Sequence, residues 1–201
     1  MSKATLIHVA DPMCSWCYAF EPELKQIVEE TGLAVRLVMG GLYTLDRTMP
    51  LDESLRAYLR ETWKRVSDIS QQPVAFDLAD WPEWTYDTEP ACRAVIAVRR
   101  LAPARALAFF EELQHAFYAD NLDVTRAEVL ADLSAGFGID RDAFLELLAD
   151  GDSALVDFQE ARALGATGFP LLVLDTGSEQ IPVSVGFNRA DGILRTIRVL
   201  V

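Results

Sequence analysis

The feature that most constrains the fold of this chain is the order in which its hydrophobic periods change. Thr5–Ala10 has the β-branched and apolar composition of a strand, and Ala34–Met39 repeats it. Between them, apolar residues from Phe20 to Val28 recur every three or four positions, which is helical spacing. A strand, a helix and a strand in this order predict a βαβ unit with parallel strands and a right-handed crossover.

The strand signal returns only near the end of the chain. Apolar runs at residues 171–174 and 181–185 flank turn-forming residues, and together they predict a β-hairpin. Ala190–Leu200 then carries apolar residues at helical spacing and predicts a closing helix.

Helical patterns dominate the long stretch between these two ends. They include the spacing of a capping box from Thr125 to Glu128, which predicts a helix start there. We therefore predict an α/β fold in which residues 1–45 and 152–201 form one sheet-containing domain. Residues 46–151 form an inserted, all-helical subdomain in this prediction.

The charge balance argues against two classes of partner. Of 201 residues, 18 are basic and 31 acidic, which gives a formal net charge of −13. Because nucleic acid and anionic membrane surfaces attract clustered lysine and arginine, neither is an expected partner. No stretch approaches the ~18 apolar residues of a membrane span, and the start of the chain lacks the features of a signal peptide. We therefore expect a cytoplasmic protein.

The residues Cys14-Ser15-Trp16-Cys17 lie between the first predicted strand and the helix that follows it. The chain has three cysteines, and an odd number is not typical of a secreted disulfide scaffold. A helix N-terminus presents unpaired N–H groups and the positive end of the dipole, so a thiolate there is stabilised. This placement predicts an exposed, nucleophilic Cys14 and an inward-facing Cys17 that resolves the mixed disulfide.

Other residues admit both a functional and a structural interpretation. A Cys-x-x-Cys pair also occurs in zinc sites, but the remaining cysteine and histidines are not at metal-site spacing, so we expect no metal. Cys92 is expected to be a small buried hydrophobe and His8 a packed, hydrogen-bonded residue. Trp81 and Trp84 fit an aromatic rim at the site and a place in the core equally well.

A second candidate part of the site is Thr167-Gly168-Phe169-Pro170, just before the predicted hairpin. Because proline donates no backbone hydrogen bond, this segment can leave a backbone edge free for substrate, and the Phe169–Pro170 bond can be cis. The alternative is a proline that only begins a strand. We predict that Thr167, Gly168 and Phe169 bind substrate together with Trp16.

These motifs resemble the DsbA-like disulfide oxidoreductases of thioredoxin fold. The resemblance rests on Asp-Pro-Met-Cys-x-x-Cys after the first strand, a helical insertion, and Gly-Ala-Thr-Gly-Phe-Pro before the last hairpin. It covers nearly the whole chain, and the segment from Tyr86 to Ala94 is similar to a branch of cytosolic protein-disulfide isomerases. The resemblance implies a thioredoxin-like domain with a mixed four-stranded sheet, in which the first hairpin strand is antiparallel to the N-terminal strand.

The resemblance also implies catalytic roles. Cys14 would be the nucleophile, Cys17 the resolving thiol and Pro170 a cis proline. The implied activity is thiol–disulfide exchange without a cofactor, on a disulfide-containing protein or a small thiol, with glutathione a candidate substrate or recycling thiol. Dithiols of this fold have potentials of about −120 to −270 mV against a cytosolic poise of about −220 to −320 mV, which favours a reductase or isomerase.

Two other classes compete with this prediction. Kappa-class glutathione transferases and 2-hydroxychromene-2-carboxylate isomerases resemble the chain in layout, but they usually have serine in place of Cys14 and lack the second cysteine. The other alternative is a non-catalytic binding module that uses an aromatic groove. The dithiol favours an oxidoreductase over the first class and leaves the binding module as an alternative.

Overall fold

A mixed four-stranded sheet forms the centre of the fold in the computed structural model, which describes residues 4–75, 81 and 83–200. The strands in chain order are β1 (Thr5–Ala10), β2 (Ala34–Met39), β3 (Met49–Pro50), β4 (Thr85–Tyr86), β5 (Leu171–Asp175) and β6 (Gln180–Val185). The sheet has the order β2-β1-β5-β6, while β3 and β4 pair separately. Because β1 is parallel to β2 and antiparallel to β5, the predicted mixed sheet is confirmed.

Helices surround this sheet and fill the middle of the chain. The α-helices among the described residues are α1 (Ser15–Thr31), α2 (Glu53–Ser70), α3 (Glu89–Leu101), α4 (Ala106–Tyr118), α5 (Ala127–Ala135), α6 (Arg141–Leu148), α7 (Ser153–Ala163) and α8 (Ala190–Leu200). Gly32 ends α1 in the left-handed conformation that glycine adopts without strain.

The alternating side chains of the strands give the sheet two apolar faces. Leu6 and Leu172 point to one face, where they pack against apolar residues of α1 and α8. Val9 and Val173 point to the other face, where Ala161 of α7 covers them. This period-two division places the helix that begins at the dithiol directly against the two central strands.

The helical region is joined to the sheet by an ion pair between a partly exposed arginine and a buried aspartate. Arg99 of α3 donates to both carboxylate oxygens of Asp157 in α7, at 2.8 and 2.7 Å. Asp157 also accepts the backbone N–H of Met39 at the end of β2 (2.8 Å). The largest apolar cluster likewise contains residues of both segments, such as Tyr18 and Trp63. These contacts join the two predicted domains, and the division between them stays a prediction.

The capping box predicted at Thr125 is wrong. The helix begins at Ala127, and its N-cap residue is Arg126. Thr125 instead donates its hydroxyl to Asp123 Oδ1 at 2.6 Å, because the aspartate forms a turn just before the helix. Within residues 4–75, 81 and 83–200, no helix combines the length and apolar character needed to cross a bilayer.

Candidate active site

The dithiol follows a tight turn at the end of β1. Asp11 Oδ1 accepts the backbone N–H of Met13 (2.8 Å), and the carbonyl of Asp11 accepts the N–H of Cys14 (3.1 Å). Cys14 has an extended backbone and occupies the N-cap position of α1. Its carbonyl accepts the N–H groups of Cys17 and Tyr18, which closes the first helical turn. The turn thus sets both sulfurs at the carboxyl edge of β1.

Cys14 is buried, with 4% of its surface exposed. The expectation of an exposed nucleophile is therefore wrong for this state of the protein. The reason is the loop before β5, whose Phe169 carbonyl lies 3.8 Å from the Cys14 thiol and accepts its hydrogen bond. No hydrogen bond joins the Cys14 side chain to the first amides of α1.

Cys17 lies deeper than Cys14 and is fully buried, as the sequence predicts. Burial raises the pKa of its thiol well above the ordinary value, and the hydrogen bond with Cys14 and the charge of Cys14 raise this pKa further. Both cysteines are free thiols in the structure. The two sulfurs therefore occupy unequal environments.

The predicted loop contacts the dithiol, and the Phe169–Pro170 bond is cis as predicted. The Phe169 ring is half-buried against the loop that follows β2. A Cβ atom on Gly40 would lie 2.1 Å from this ring, so only glycine permits the contact. Thr167 and Gly168 are exposed beside it, and Pro170 is buried. Their part in substrate binding stays a prediction.

A buried carboxyl group lies beneath the dithiol. Asp11 Oδ2 accepts the N–H of Leu42 (2.7 Å), the hydroxyl of Thr88 (2.6 Å) and the thiol of Cys92 (3.5 Å). Burial raises the pKa of Asp11 above its usual range, although these hydrogen bonds oppose the change. One side chain therefore links the turn before Cys14 to the loop after β2 and to α3.

Two tyrosines hold the residue that precedes the nucleophile. The hydroxyl groups of Tyr86 and Tyr118 both donate to the backbone carbonyl of Met13. Both tyrosines are buried, and burial raises the pKa of each well above the ordinary value, so both remain protonated donors. The ring of Tyr118 also stacks on Tyr18, with centroids 4.9 Å apart.

The aromatic residues separate into rim and core. Trp16 is half-buried, with the Arg65 guanidinium 5.4 Å from its ring centre and the Phe187 ring 5.9 Å away. Trp81 and Trp84 instead pack against each other and Phe117. The core interpretation is therefore correct for Trp84, which is buried, whereas Trp81 is half-buried at the edge of the same cluster.

His8 is packed but lacks the predicted hydrogen bonds. Neither ring nitrogen has a hydrogen-bond partner in the part of the chain that the structure describes. The neighbours are the rings of Phe20 and Phe110, at 5.7 and 5.9 Å between centroids. Burial lowers the pKa of His8 to about 4, which keeps the ring neutral. Among the described residues, no group of three histidine, cysteine or acidic side chains could hold a metal ion.

The groups that surround the dithiol through space are not indicated by local sequence patterns. Arg65 lies 5.4 Å from Trp16, although 49 positions separate them in the chain. One indication of these groups was the segment from Tyr86 to Ala94, which carries part of the family resemblance. It supplies Tyr86, Thr88 and Cys92 to the region beneath the dithiol.

The sheet, the dithiol at the start of a helix and the cis-proline loop facing it define a thioredoxin fold. A family model described as a DSBA-like thioredoxin domain matches residues 5–198. The chain therefore belongs to the DsbA-like thioredoxin-domain family, and the predicted fold is confirmed.

Solved structures resemble the chain over nearly its whole length. A candidate protein disulfide isomerase from Nitrosomonas europaea is 32% identical, with a TM-score of 0.88 and coverage of 98% of this chain and 97% of that one. Cytosolic disulfide reductase DsbM from Pseudomonas aeruginosa is 26% identical, with a TM-score of 0.77 and coverage of 98% of both chains. The same reductase has also been solved with GSH.

A curated relative is longer than this chain. The ClpXP adapter protein SpxH of Halalkalibacterium halodurans is 24% identical over 171 residues. The match covers 81% of this chain and 56% of the relative, so the chain spans little more than half of that protein's length.

Proposed function

We propose that the protein is a thiol–disulfide oxidoreductase that acts as a reductase or isomerase in the cytoplasm. The observation that carries this proposal is the unequal placement of the two thiols. Cys14 meets the cis-proline loop, where a substrate backbone can pair, while Cys17 is sealed beneath it with a raised thiol pKa. The likeness to a cytosolic disulfide reductase supports the reducing direction and the compartment.

The reaction divides between the two sulfurs. The Cys14 thiolate attacks one sulfur of a disulfide RS–SR, which forms a Cys14–S–S–R bond and releases RS⁻. Cys17 then loses its proton and attacks the Cys14 sulfur, which forms the Cys14–Cys17 disulfide and releases the second RS⁻. Two electrons thereby pass from the protein dithiol to the substrate.

A small thiol restores the dithiol in this proposal. Two molecules of glutathione reduce the Cys14–Cys17 disulfide and become oxidised glutathione, so no bound cofactor is required. The structure of the related reductase with GSH supports this choice of thiol. The substrate is a disulfide in a protein or a small molecule, and the exposed Thr167 and Gly168, with Phe169 and Trp16, would contact it.

Trapping of mixed disulfides in cells tests the roles of the two sulfurs. Cys17→Ser retains the attacking sulfur without a resolving thiol, so mixed disulfides should accumulate on non-reducing gels. Cys14→Ser should trap nothing, like the matched control that carries both serines. Equal trapping by the two single variants would contradict the proposed roles.

Turnover of 2-hydroxyethyl disulfide separates the alternative classes. An oxidoreductase of this kind should lose nearly all glutathione-driven turnover in Cys14→Ser, because the attacking thiol is gone, whereas glutathione can still resolve the mixed disulfide in Cys17→Ser. Undiminished turnover in Cys14→Ser would favour a glutathione transferase or isomerase, because those enzymes usually have serine at this position. A wild-type protein that reduces no disulfide would favour a non-catalytic binding module, a role that the likeness to an adapter protein brings into consideration.

A further inference from the structure

A pocket of about 230 Å³ is lined in part by the cis-proline loop, whose Phe169 carbonyl also meets the dithiol. Its walls are the loop after β2, one side of α7 and the segment from Thr167 to Phe169. The pocket and the nucleophile share a wall, because the carbonyl of Phe169 lies 3.8 Å from the Cys14 thiol. A molecule whose sulfur reaches Cys14 can therefore place a neighbouring group in the pocket.

Among the described residues, none of the charged side chains that line this pocket is held in an ion pair. Arg47 donates to the carbonyl of Gly41 (2.8 Å) and Arg162 to the carbonyl of Phe158 (3.2 Å), and each retains further N–H donors. Over the described residues, neither arginine forms an ion pair, and the same is true of Asp46 in the pocket wall. All three side chains belong to exposed residues.

We infer that this pocket binds the amino-acid arm of a small disulfide substrate, with carboxylates on Arg47 and Arg162 and an ammonium group on Asp46. The inference rests on the proposed function and adds the class of substrate. Two guanidinium groups and one carboxylate match an arm that carries acidic groups and a free amine. Planar guanidinium groups bind carboxylates through paired N–H donors.

The size of the pocket favours a small molecule over a protein segment. A volume of about 230 Å³ is below the ~300–1,000 Å³ of complete small-molecule sites, so the pocket suits one arm of a substrate. Residues within a protein chain have no free α-ammonium or α-carboxylate group, whereas a small peptide-like disulfide has both. The net charge of −13 repels acidic molecules in general, so local arginines are needed to hold one here.

Single-turnover reduction of three disulfides by the pre-reduced protein tests this assignment. Oxidised glutathione carries carboxylates and ammonium groups, dithiodiglycolate carries only carboxylates, and 2-hydroxyethyl disulfide is uncharged. Arg47→Gln and Arg162→Gln should each slow the two acidic disulfides roughly three- to tenfold and leave the uncharged one within about twofold. Asp46→Asn should slow only oxidised glutathione, because only that substrate offers an ammonium group.

The matched control is Arg126→Gln, which makes the same change in net charge on an exposed residue of the helical region. Equal slowing by Arg126→Gln, or equal slowing of all three disulfides by the pocket variants, would overturn the assignment. The first result would indicate long-range charge and the second a structural role. Arg47→Lys keeps the charge and should restore part of the rate.

Binding of S-methylglutathione separates this inference from the proposed function, because a thioether cannot exchange with the dithiol. The Kd measured by calorimetry should rise roughly three- to tenfold in Arg47→Gln and Arg162→Gln and stay unchanged in Arg126→Gln. Binding with this pattern in a protein that reduces no disulfide would refute the oxidoreductase and retain the pocket. Disulfide reduction without any such binding would retain the oxidoreductase and refute the assignment of the pocket.

Discussion

The polar groups beneath the dithiol are buried and hydrogen-bonded, whereas the charged groups around it are exposed. We call the buried region the floor, and its members are Asp11, Tyr86, Thr88, Cys92 and Tyr118. We call the surrounding region the rim, and its members are Trp16, Arg47, Arg65, Arg162 and Phe169. Floor groups donate to and accept from one another and the turn at Met13. The rim arginines form no ion pair in the part of the chain that the structure describes.

Substitutions in the two regions should therefore change the free energy of unfolding by different amounts. A buried polar group that loses its partner costs about 1–3 kcal/mol, because no water replaces the lost hydrogen bond. Removal of an exposed charged side chain lowers the free energy of unfolding only a little, because water already solvates that charge. Changes in the floor should therefore lower the free energy of unfolding, and changes in the rim should mainly alter reaction with charged substrates.

The largest expected effect is that of Asp11→Ala. It leaves the N–H groups of Met13 and Leu42 and the hydroxyl of Thr88 without their acceptor. We expect the free energy of unfolding of the reduced protein to fall by about 3 kcal/mol or more, as measured in urea. The control Asp142→Ala changes an exposed carboxylate. A loss no larger than that of the control would show that the floor is not what stabilises the turn.

Asp11→Asn sharpens the same comparison through its pH dependence. Because the native pKa of Asp11 is raised, the folded state holds a proton at pH values where the unfolded state, with a pKa near 3.9, has released it. The contribution of Asp11 to the free energy of unfolding of the wild type is therefore lost as the pH rises from about 4 through the native pKa of Asp11. Asparagine does not titrate, so the variant should gain stability relative to wild type over that range. The free energies of unfolding of the wild type and the variant are measured in urea at each pH. Values that change in parallel with pH would contradict this prediction.

The two tyrosines should have coupled effects of intermediate size. Tyr86→Phe and Tyr118→Phe each remove one donor to the Met13 carbonyl, at a cost of about 1 kcal/mol. The double variant should lose more than the sum, because the buried carbonyl then has neither hydroxyl. A double-mutant cycle in urea measures this coupling, with the exposed Tyr58→Phe as the control. Strict additivity would mean that the tyrosines do not share one acceptor.

The smallest expected effect belongs to the rim. Arg65→Gln removes the guanidinium that lies over Trp16 and should cost about 0.5–1 kcal/mol, the usual range for an exposed cation–π contact. Trp16 fluorescence should change in the folded protein, while Arg60→Gln on the same helix should change neither quantity. A loss as large as that of Asp11→Ala would erase the distinction between rim and floor.

The fold and the location of the site follow from local patterns in the sequence. β-branched, apolar composition and helical spacing predict β1, α1 and β2, and the Cys-x-x-Cys pair falls at the junction where the structure has it. The cis bond before Pro170 is likewise predicted from its segment and the family resemblance. Each of these features depends on residues that are neighbours in the chain.

The floor and the burial of Cys14 could not be predicted in this way. They depend on contacts between distant parts of the chain, such as Asp11 with Thr88 and Cys14 with Phe169. Thr88 illustrates the difficulty. Asp87 or Thr88 is a helix-cap candidate from sequence, and Thr88 is the N-cap residue of α3, but its hydroxyl donates to Asp11 and accepts no N–H of that helix. The local role and the tertiary role compete for one side chain, and the sequence pattern reports only the first.

The pairing of β1 with β5 has a consequence for the order of events on the ribosome. The sulfur of Cys14 and the carbonyl it meets belong to residues 155 positions apart. At about 5–20 residues per second, roughly 8 to 31 s separate the synthesis of the first from that of the second. Throughout this interval the nascent chain carries both thiols without the loop that buries Cys14. Exposure of the dithiol to oxidants is therefore greatest during translation, before the last two strands complete the sheet.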